Sequence, residues 1–118
     1  MKKGEIWLIK LVEEKSVGHE YFNDRPALII MANDIINSAS VVTIMPLSSS
    51  GRYHWDDINI KKDLSNRLRE DSIIKAHHII SYDKSRFIHK IGKADEKIIK
   101  QVESYLKKHF WGDQVQNL

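Results

Sequence analysis

The apolar segment that follows Pro26 constrains the fold of this chain more than any other part of the sequence. Residues 27–31 are five apolar side chains in a row, and Asp24 and Arg25 stand immediately before the proline. Proline fixes φ and lacks an amide hydrogen, so it can begin a strand but would break the middle of one. An uninterrupted apolar strand is typical of a sheet that is buried on both faces. Arg25 is therefore placed where a rigid strand meets a loop, although this pattern alone favours an ordinary surface charge.

Composition limits the class of protein. The 118 residues are 42% hydrophobic and 30% charged, which fits one ordinary globular domain, residues 1–118, with a single modest core. Cysteine is absent, so disulfides, thiolate metal sites and cysteine nucleophiles are excluded. The net charge of +3 favours anionic partners such as nucleic acid only slightly. No apolar run approaches membrane-spanning length, and we expect a cytoplasmic protein with no membrane partner.

Short apolar and alternating segments dominate the first three quarters of the chain. They predict six strands, at residues 5–12, 26–31, 40–47, 57–60, 72–80 and 88–92. Pro46 is expected to end the pairing of the third strand, and residues 82–87 are expected to form a turn. Two long polar segments, 13–24 and 48–55, are predicted loops, and loops of this length are often functional.

The clearest predicted element is a C-terminal amphipathic helix. Asp95 can cap its start and Gly112 can end it. Its apolar stripe consists of Ile98, Val102, Tyr105, Leu106, His109 and Phe110. Several short strands followed by one helix predict a mainly β protein with a C-terminal helix, in which the helix packs on a small, mostly antiparallel β-barrel.

A succession of short motifs resembles the MazF/PemK family of type II toxins. The motifs are residues 4–8 (GEIWL), 18–20 (G-x-E), 25–30 (RPALII), 42–49 (VTIMPLSS), 71–74 (DSII), 83–87 (DK-x-RF) and 90–92 (KIG). No single motif is specific, but their order and spacing are. The resemblance implies a homodimeric barrel of the SH3-like, CcdB–PemK type. It also implies a metal-independent endoribonuclease that cuts single-stranded mRNA, with no cofactor and no metal site.

The resemblance also implies particular partners and catalytic residues. One partner is a cognate antitoxin whose flexible tail covers the active site. The other is operator DNA, which is contacted only through the antitoxin complex. The family's essential arginine corresponds to Arg25, its loop glutamate to Glu20 and its active-site hydroxyl to Ser48. Most members have threonine where this chain has Ser48. Many also have an acidic residue and a glutamine where this chain has His77 and His78.

These assignments are consistent with RNA cleavage that needs no metal ion. The neighbouring 2′-OH acts as the nucleophile, and the products are a 2′,3′-cyclic phosphate and a free 5′-OH. The reaction needs a base near the 2′-OH, donors on the phosphorane oxygens and a proton for the leaving oxygen. Glu20 is the candidate base, Arg25 offers a fixed fork of donors, and Ser48 would bind a phosphate oxygen through its hydroxyl.

Further residues are candidates for contact with RNA: His19, Arg52, Tyr53, His54, Trp55, His78 and Arg86. Tyr53 and Trp55 could stack on unpaired bases, or Trp55 could turn inward and cover the barrel. Either His19 or His54 could protonate the leaving oxygen, although a solvated loop histidine is the more frequent case. His77 and His78 are predicted to point to opposite faces of a strand, so that they could not chelate one metal ion together.

Two other functions stay open. CcdB, a gyrase poison, shares the fold and ends in a helical Trp-Gly; this chain has Trp111-Gly112, although a helix stop explains the glycine. The other is a nucleic-acid-binding barrel without toxicity. Neither needs Glu20, Arg25 and Ser48 together, so the combination favours the endoribonuclease.

Overall fold

The structure is a computed structural model, and it describes residues 1–11, 24–50 and 54–112. Seven strands and two α-helices lie in these ranges. In chain order they are β1 (Glu5–Ile9), β2 (Arg25–Ile29), α1 (Asn33–Ile36), β3 (Val41–Ser48), β4 (Ile58–Ile60), β5 (Ser72–Ile74), β6 (Ile80–Asp83), β7 (Phe87–Lys93) and α2 (Glu96–Trp111). A short 3-10 helix, Lys84–Arg86, connects β6 to β7. No helix among the described residues is long and apolar enough to cross a membrane.

The strands form an antiparallel sheet in which β3 is the central element. The order is β4-β5-β3-β2-β1-β7, and β6 pairs with β3 in addition. Ile44 of β3 pairs with Ile29 of β2 and with Ile80 of β6, so those two strands lie on opposite edges of β3. The predicted antiparallel β architecture with a C-terminal helix is confirmed. The described strands leave the sheet open, and its closure into a barrel stays a prediction.

The strand after Pro26 is buried on both faces, as its sequence predicts. Ala27, Leu28 and Ile29 have no exposed surface. Leu28 belongs to one apolar cluster, which also contains Val102 of α2, while Ala27 and Ile29 belong to a second cluster. Successive side chains of a strand alternate between the faces of the sheet, so this one strand supplies the cores on both sides.

Helix α2 packs on the first of these clusters. Asp95 caps it, since the carboxylate accepts a hydrogen bond from the amide of Ile98 at 2.9 Å. Gly112 ends it with a φ of 70°, a conformation that favours glycine. Val102 is buried in the cluster, whereas Phe110 is 59% exposed, so the predicted stripe is buried only in its first part.

Two predicted strands and one predicted turn have different bounds in the structure. Pro46 lies inside β3 and pairs with Ala27; proline lacks a donor, but its carbonyl still accepts a hydrogen bond from the amide of Lys75 at 2.9 Å. The strand predicted over residues 72–80 is interrupted, because a turn follows β5 in which the amide of His78 donates to the carbonyl of Lys75 at 2.9 Å. The predicted turn at residues 82–87 is instead the end of β6, the 3-10 helix and the start of β7.

Candidate active site

A cleft of about 740 Å³ opens where β2 begins and β3 ends. The two strands are antiparallel and pair Ala27 with Pro46, so continuing this register by two residues places Arg25 opposite Ser48. We call it the Arg25 cleft. It is lined by Leu8, Asp24, Arg25, Pro26, Leu47, Ser48, Ser49, Arg67, Leu68, Arg69, Glu70, Ser72, His89, Lys90 and Ile91.

Arg25 is positioned by the sheet on both sides of its strand. It is the first residue of β2 and pairs with Ile9 of β1, while β3 runs along the other edge. Its side chain is half-buried. The predicted position of Arg25 at the start of the strand is confirmed. The sheet fixes the backbone from which the guanidinium extends, and a binding role for this side chain stays a prediction.

Ser48 is the last residue of β3 and is only 6% exposed. Its hydroxyl donates a hydrogen bond to the carbonyl of Ser50, so a local turn orients it. A phosphate oxygen could replace that carbonyl as the acceptor. Ser49 is exposed and lines the cleft as well.

A tightly hydrogen-bonded turn presents Arg67 to the same cleft. The Asp63 carboxylate accepts from the amides of Ser65 at 2.9 Å and Asn66 at 2.7 Å. The Asn66 side-chain oxygen in turn accepts from the amide of Leu68 at 3.0 Å. Arg67 has a φ of 55°, in the left-handed region that residues other than glycine rarely adopt. The turn stabilises this backbone conformation and with it the origin of the Arg67 side chain.

Gly92 of β7 explains why this turn lies so close to the sheet. A Cβ at this position would lie 2.4 Å from the carbonyl oxygen of Asn66. The neighbouring amide of Lys93 donates to the carbonyl of Ser65 at 3.1 Å. The turn thus packs directly on the backbone of β7, and only glycine leaves room for it.

Basic side chains outnumber acidic ones in the cleft, which suits an anionic ligand. Lys90 lies 3.1 Å from a carboxylate oxygen of Glu5. Burial alone would raise the pKa of Glu5, but hydrogen bonds from Trp7 and Lys90 outweigh it and hold this pKa below its usual value. The basic residues are Arg25, Arg67, Arg69, His89 and Lys90, and the acidic ones are Asp24 and Glu70.

Two of the cleft residues, Arg25 and Ser48, were predicted from the sequence. For Arg67, the only indication in the sequence was the group of turn-forming residues 63–66 before it.

A second polar group, which we call the Asp56 cluster, consists of His54, Asp56, His77 and Tyr105. Nδ1 of His54 contacts Oδ1 of Asp56, and Nδ1 of His77 lies 3.1 Å from the same oxygen. The hydroxyl of Tyr105 donates to the other carboxylate oxygen of Asp56 at 2.8 Å. Burial would raise the pKa of Asp56, but the hydrogen bonds from Tyr105 and His54 lower it further than burial raises it. Burial and the adjacent Asp56 carboxylate raise the pKa of Tyr105.

Among the residues that the structure describes, the other predicted RNA contacts do not line the Arg25 cleft. His54 is in the Asp56 cluster, and Trp55 is 75% exposed, so it does not turn inward over the sheet. Arg86 donates to the carbonyl of Lys10 at 3.3 Å.

The prediction that His77 and His78 point to opposite faces of a strand is wrong. Their rings lie 4.3 Å apart, because a turn and not a strand carries them. His19, Glu20, Arg52 and Tyr53 lie outside the described residues.

Several solved structures have the same fold. MazF from Deinococcus radiodurans is 18% identical, with a TM-score of 0.76 over 92% of this chain and 94% of that one. MazF in a MazE–MazF complex from the same organism is 15% identical, with a TM-score of 0.72 over 95% and 97%. An endoribonuclease in complex with its cognate antitoxin, from a mycobacterial species, is 14% identical, with a TM-score of 0.69 over 92% of each chain. No curated protein sequence matches this chain.

These observations on the described residues define a class of protein. Its members have an open antiparallel sheet, a C-terminal helix, and a basic cleft where the ends of two strands face each other. The profile of the PemK-like, MazF-like toxins of type II toxin–antitoxin systems matches residues 2–110. The chain belongs to this toxin family, and the resemblance seen in its motifs is confirmed.

Proposed function

We propose that the chain is an endoribonuclease that cleaves single-stranded mRNA and acts as the toxin of a toxin–antitoxin pair. The neighbouring 2′-OH attacks the phosphate and leaves a 2′,3′-cyclic phosphate and a 5′-OH. Membership of the toxin family and the fold shared with an endoribonuclease of a mycobacterial species support this function.

The observation that carries the proposal is that Arg25 and Ser48 line one cleft. The fork of the Arg25 guanidinium matches two oxygens of a phosphorane in geometry and in charge. The hydroxyl of Ser48 would donate a third hydrogen bond. Donors that are already oriented stabilise the developing charge most effectively, because they need no reorganisation during the reaction.

Two further groups complete the proposed chemistry. Glu20 is the candidate general base, and it stands a few residues before Asp24, which lines the cleft. For the proton on the leaving oxygen, His19 remains a candidate. Among the described histidines, His89 is the one that lines the cleft, which makes it a stronger candidate than His54.

The remaining basic side chains would bind the RNA backbone on either side of the cleaved bond. Arg67, Arg69 and Lys90 surround the reaction centre. Contacts of this kind release counterions from RNA, so binding should weaken steeply as salt rises. Trp55, which is 75% exposed, could stack on an unpaired base beyond the cleft.

We further propose a homodimer that is inhibited by an acidic antitoxin. A net charge of +3 and the basic cleft favour an acidic, partly apolar antitoxin segment that becomes ordered when it binds. Operator DNA would be reached only through the antitoxin complex. The complexes of MazE with MazF and of the mycobacterial endoribonuclease with its antitoxin support such a partner.

The decisive test is cleavage of a short RNA by the purified protein in excess chelator, followed by identification of the end groups. We expect a 2′,3′-cyclic phosphate and a 5′-OH, and cleavage by the Arg25→Ala variant that is slower by about a hundredfold or more. Binding of RNA without cleavage by the wild type would favour a plain nucleic-acid-binding protein. Inhibition of gyrase without RNA cleavage would favour a poison of the CcdB type.

A further inference from the structure

The Asp56 cluster has no part in the proposed RNA cleavage, since none of its four residues is among those that line the Arg25 cleft. Nevertheless, it directs three donor atoms to one point. Nδ1 of His54 and Nδ1 of His77 both contact Oδ1 of Asp56, and one possible ligand atom from each of these three residues lies within 4.8 Å of the other two. We propose that these three atoms bind a divalent transition-metal ion of the zinc type, and that this ion is structural.

The donor set suits such an ion. Imidazole nitrogen and carboxylate oxygen are ordinary ligands of zinc, and imidazole favours zinc, copper and nickel over magnesium and calcium. At bond lengths of about 2.0–2.2 Å, the donors of a tetrahedral site lie roughly 3.4 Å apart.

Both imidazoles turn Nδ1 towards the Asp56 carboxylate, so that each nitrogen either donates a hydrogen to the carboxylate or shares a metal ion with it. The Nδ1 atoms of His54 and His77 both face Oδ1 of Asp56, and the two ring centroids are 4.5 Å apart. A neutral imidazole with its lone pair on Nδ1 would repel that oxygen. Two protons can satisfy the arrangement, and one metal ion can replace both of them.

Asp57 provides an independent observation. Its side chain has no exposed surface, and Oδ1 has no hydrogen-bond partner among the described residues, although Oδ2 accepts from Lys75 at 2.7 Å. Oδ1 lies 3.8 Å from Nδ1 of His77. A buried carboxylate oxygen without a partner is costly. A metal ion at the Asp56 cluster could bind this oxygen directly or offer it the hydrogen of a bound water.

Tyr105 gives the site the outer support that metal-binding carboxylates usually have. Its hydroxyl donates to Oδ2 of Asp56 at 2.8 Å, which directs Oδ1 towards the two imidazoles. Because Tyr105 belongs to α2, an ion bound here would join three parts of the molecule: the segment before β4, the turn after β5 and the C-terminal helix. We therefore expect the ion to stabilise the docking of α2.

The site is accessible and can be tested without disturbing the core. The side chain of His54 is 46% exposed and that of His77 is 28% exposed. Untagged, metal-stripped protein is titrated with zinc chloride by calorimetry, and its melting temperature is recorded with and without zinc. We expect one ion per chain, a dissociation constant of about 1 μM or lower, and a higher melting temperature with zinc.

Single substitutions assign the binding to the cluster. His54→Ala and His77→Ala should each weaken zinc binding at least about tenfold, and Tyr105→Phe should weaken it by about tenfold through loss of the outer hydrogen bond. His89→Ala is the matched control, since it removes a histidine of the Arg25 cleft and should leave zinc binding unchanged.

Several results would overturn the proposal. These are a dissociation constant of about 1 mM or weaker, equal binding by His54→Ala and the wild type, or loss of binding in His89→Ala. The metal-free variants should melt within a few degrees of the wild type. If they do not fold, the visible spectrum of the cobalt-substituted wild type decides, because bands of a nitrogen- and oxygen-ligated site support the proposal and a spectrum of free aqueous cobalt refutes it. Zinc binding and cleavage in chelator are separate measurements, so either proposal can fail alone.

Discussion

Arg25 and Ser48 stand at the facing ends of two antiparallel strands and line the same cleft. The relationship follows from the register between β2 and β3, which pairs Ala27 with Pro46. Pro46 can lie within β3 because its carbonyl accepts from the amide of Lys75, directly after β5, while Ala27 of β2 pairs with it on the other side. The two side chains of the proposed reaction are thus held by the most buried strands of the molecule.

The first prediction concerns the shape of the Arg25 side chain. Arg25→Lys should lose about a hundredfold or more in single-turnover cleavage rate, nearly as much as Arg25→Ala, because an ammonium cannot donate in a fork to two phosphorane oxygens. RNA affinity should fall less than the rate. Lys100→Ala, which removes an exposed cation on α2, should cleave like the wild type. Full activity in Arg25→Ala would exclude the proposed site.

The second prediction concerns the hydroxyl of Ser48. Ser48→Ala should cost roughly 2–4 kcal/mol of transition-state stabilisation, the range observed when one oxyanion donor is removed. Ser48→Thr should match or modestly exceed the wild type, because the additional methyl group restricts χ1. Single-turnover cleavage of one short RNA measures both.

Ser49→Ala is the comparison for this series. An alternating strand would direct Ser49 away from the cleft, but the strand ends at Ser48 and Ser49 also lines the cleft. We still expect the larger loss in Ser48→Ala, because the Ser48 hydroxyl is oriented by Ser50. A loss confined to Ser49→Ala would move the hydroxyl role by one residue, and two fully active alanine variants would remove it.

The third prediction places the antitoxin. Its acidic segment should cover the predicted loop over residues 13–24, whose last residue, Asp24, lines the Arg25 cleft. Hydrogen exchange with and without the antitoxin should show protection of peptides from this loop and little change in β2, whose residues 27–29 are already buried. Unchanged exchange in the loop would refute this placement.

The fourth prediction concerns the contact between Gly92 and the turn that carries Arg67. Gly92→Ala should lower the free energy of unfolding by about 1–3 kcal/mol or more, because its Cβ would lie 2.4 Å from the carbonyl oxygen of Asn66. Gly112→Ala is the control: a Cβ there would meet no atom of the described residues within 4 Å beyond its chain neighbours and its own helix backbone, and the φ of 70° alone should cost roughly 1 kcal/mol. Urea unfolding measures both, and a Gly92→Ala variant no less stable than Gly112→Ala would contradict the packing.

The fifth prediction follows from the lowered pKa of Glu5. Its usual value is 4.5, and the folded protein holds the pKa below this. The stabilisation is therefore complete above pH 4.5 and is lost as the pH falls through the lower, folded value. Glu5→Gln should be less stable than the wild type at neutral pH, and the difference should shrink towards pH 3. Melting curves across this range test the prediction. A stability difference that does not depend on pH would rule out the ionised carboxylate of Glu5 as its cause.

Some features of the fold and of the site could be predicted from short stretches of sequence. The strand after Pro26, the position of Arg25 at its start and the cap at Asp95 all depend on residues that are close together in the chain. They depend on proline geometry, on apolar periodicity and on one side chain that accepts from a nearby amide. Such features are decided within a few residues, so the sequence is sufficient for them.

Other features depended on residues far apart in the chain. The turn at His77 and His78 looks like a strand because both flanks are apolar, and its contact with a distant segment, in which Nδ1 of His77 lies 3.1 Å from Oδ1 of Asp56, is not visible in the sequence. The position of Arg67 in the cleft depends on the fit of Asn66 against Gly92, which no periodicity reports. The meeting of His54, Asp56 and His77 with Tyr105 likewise requires α2 to pack beside two loops.

The sequence by itself determined which segments are apolar enough to form the central strands, where α2 begins and ends, and, through its ordered motifs, the toxin family. The tertiary structure decided which charged side chains share a cleft and which histidines face one carboxylate. The reason is physical: strand and helix formation depend on neighbours in the chain, whereas a site depends on register and packing between distant segments, such as Arg25 with Ser48 and Asp56 with Tyr105.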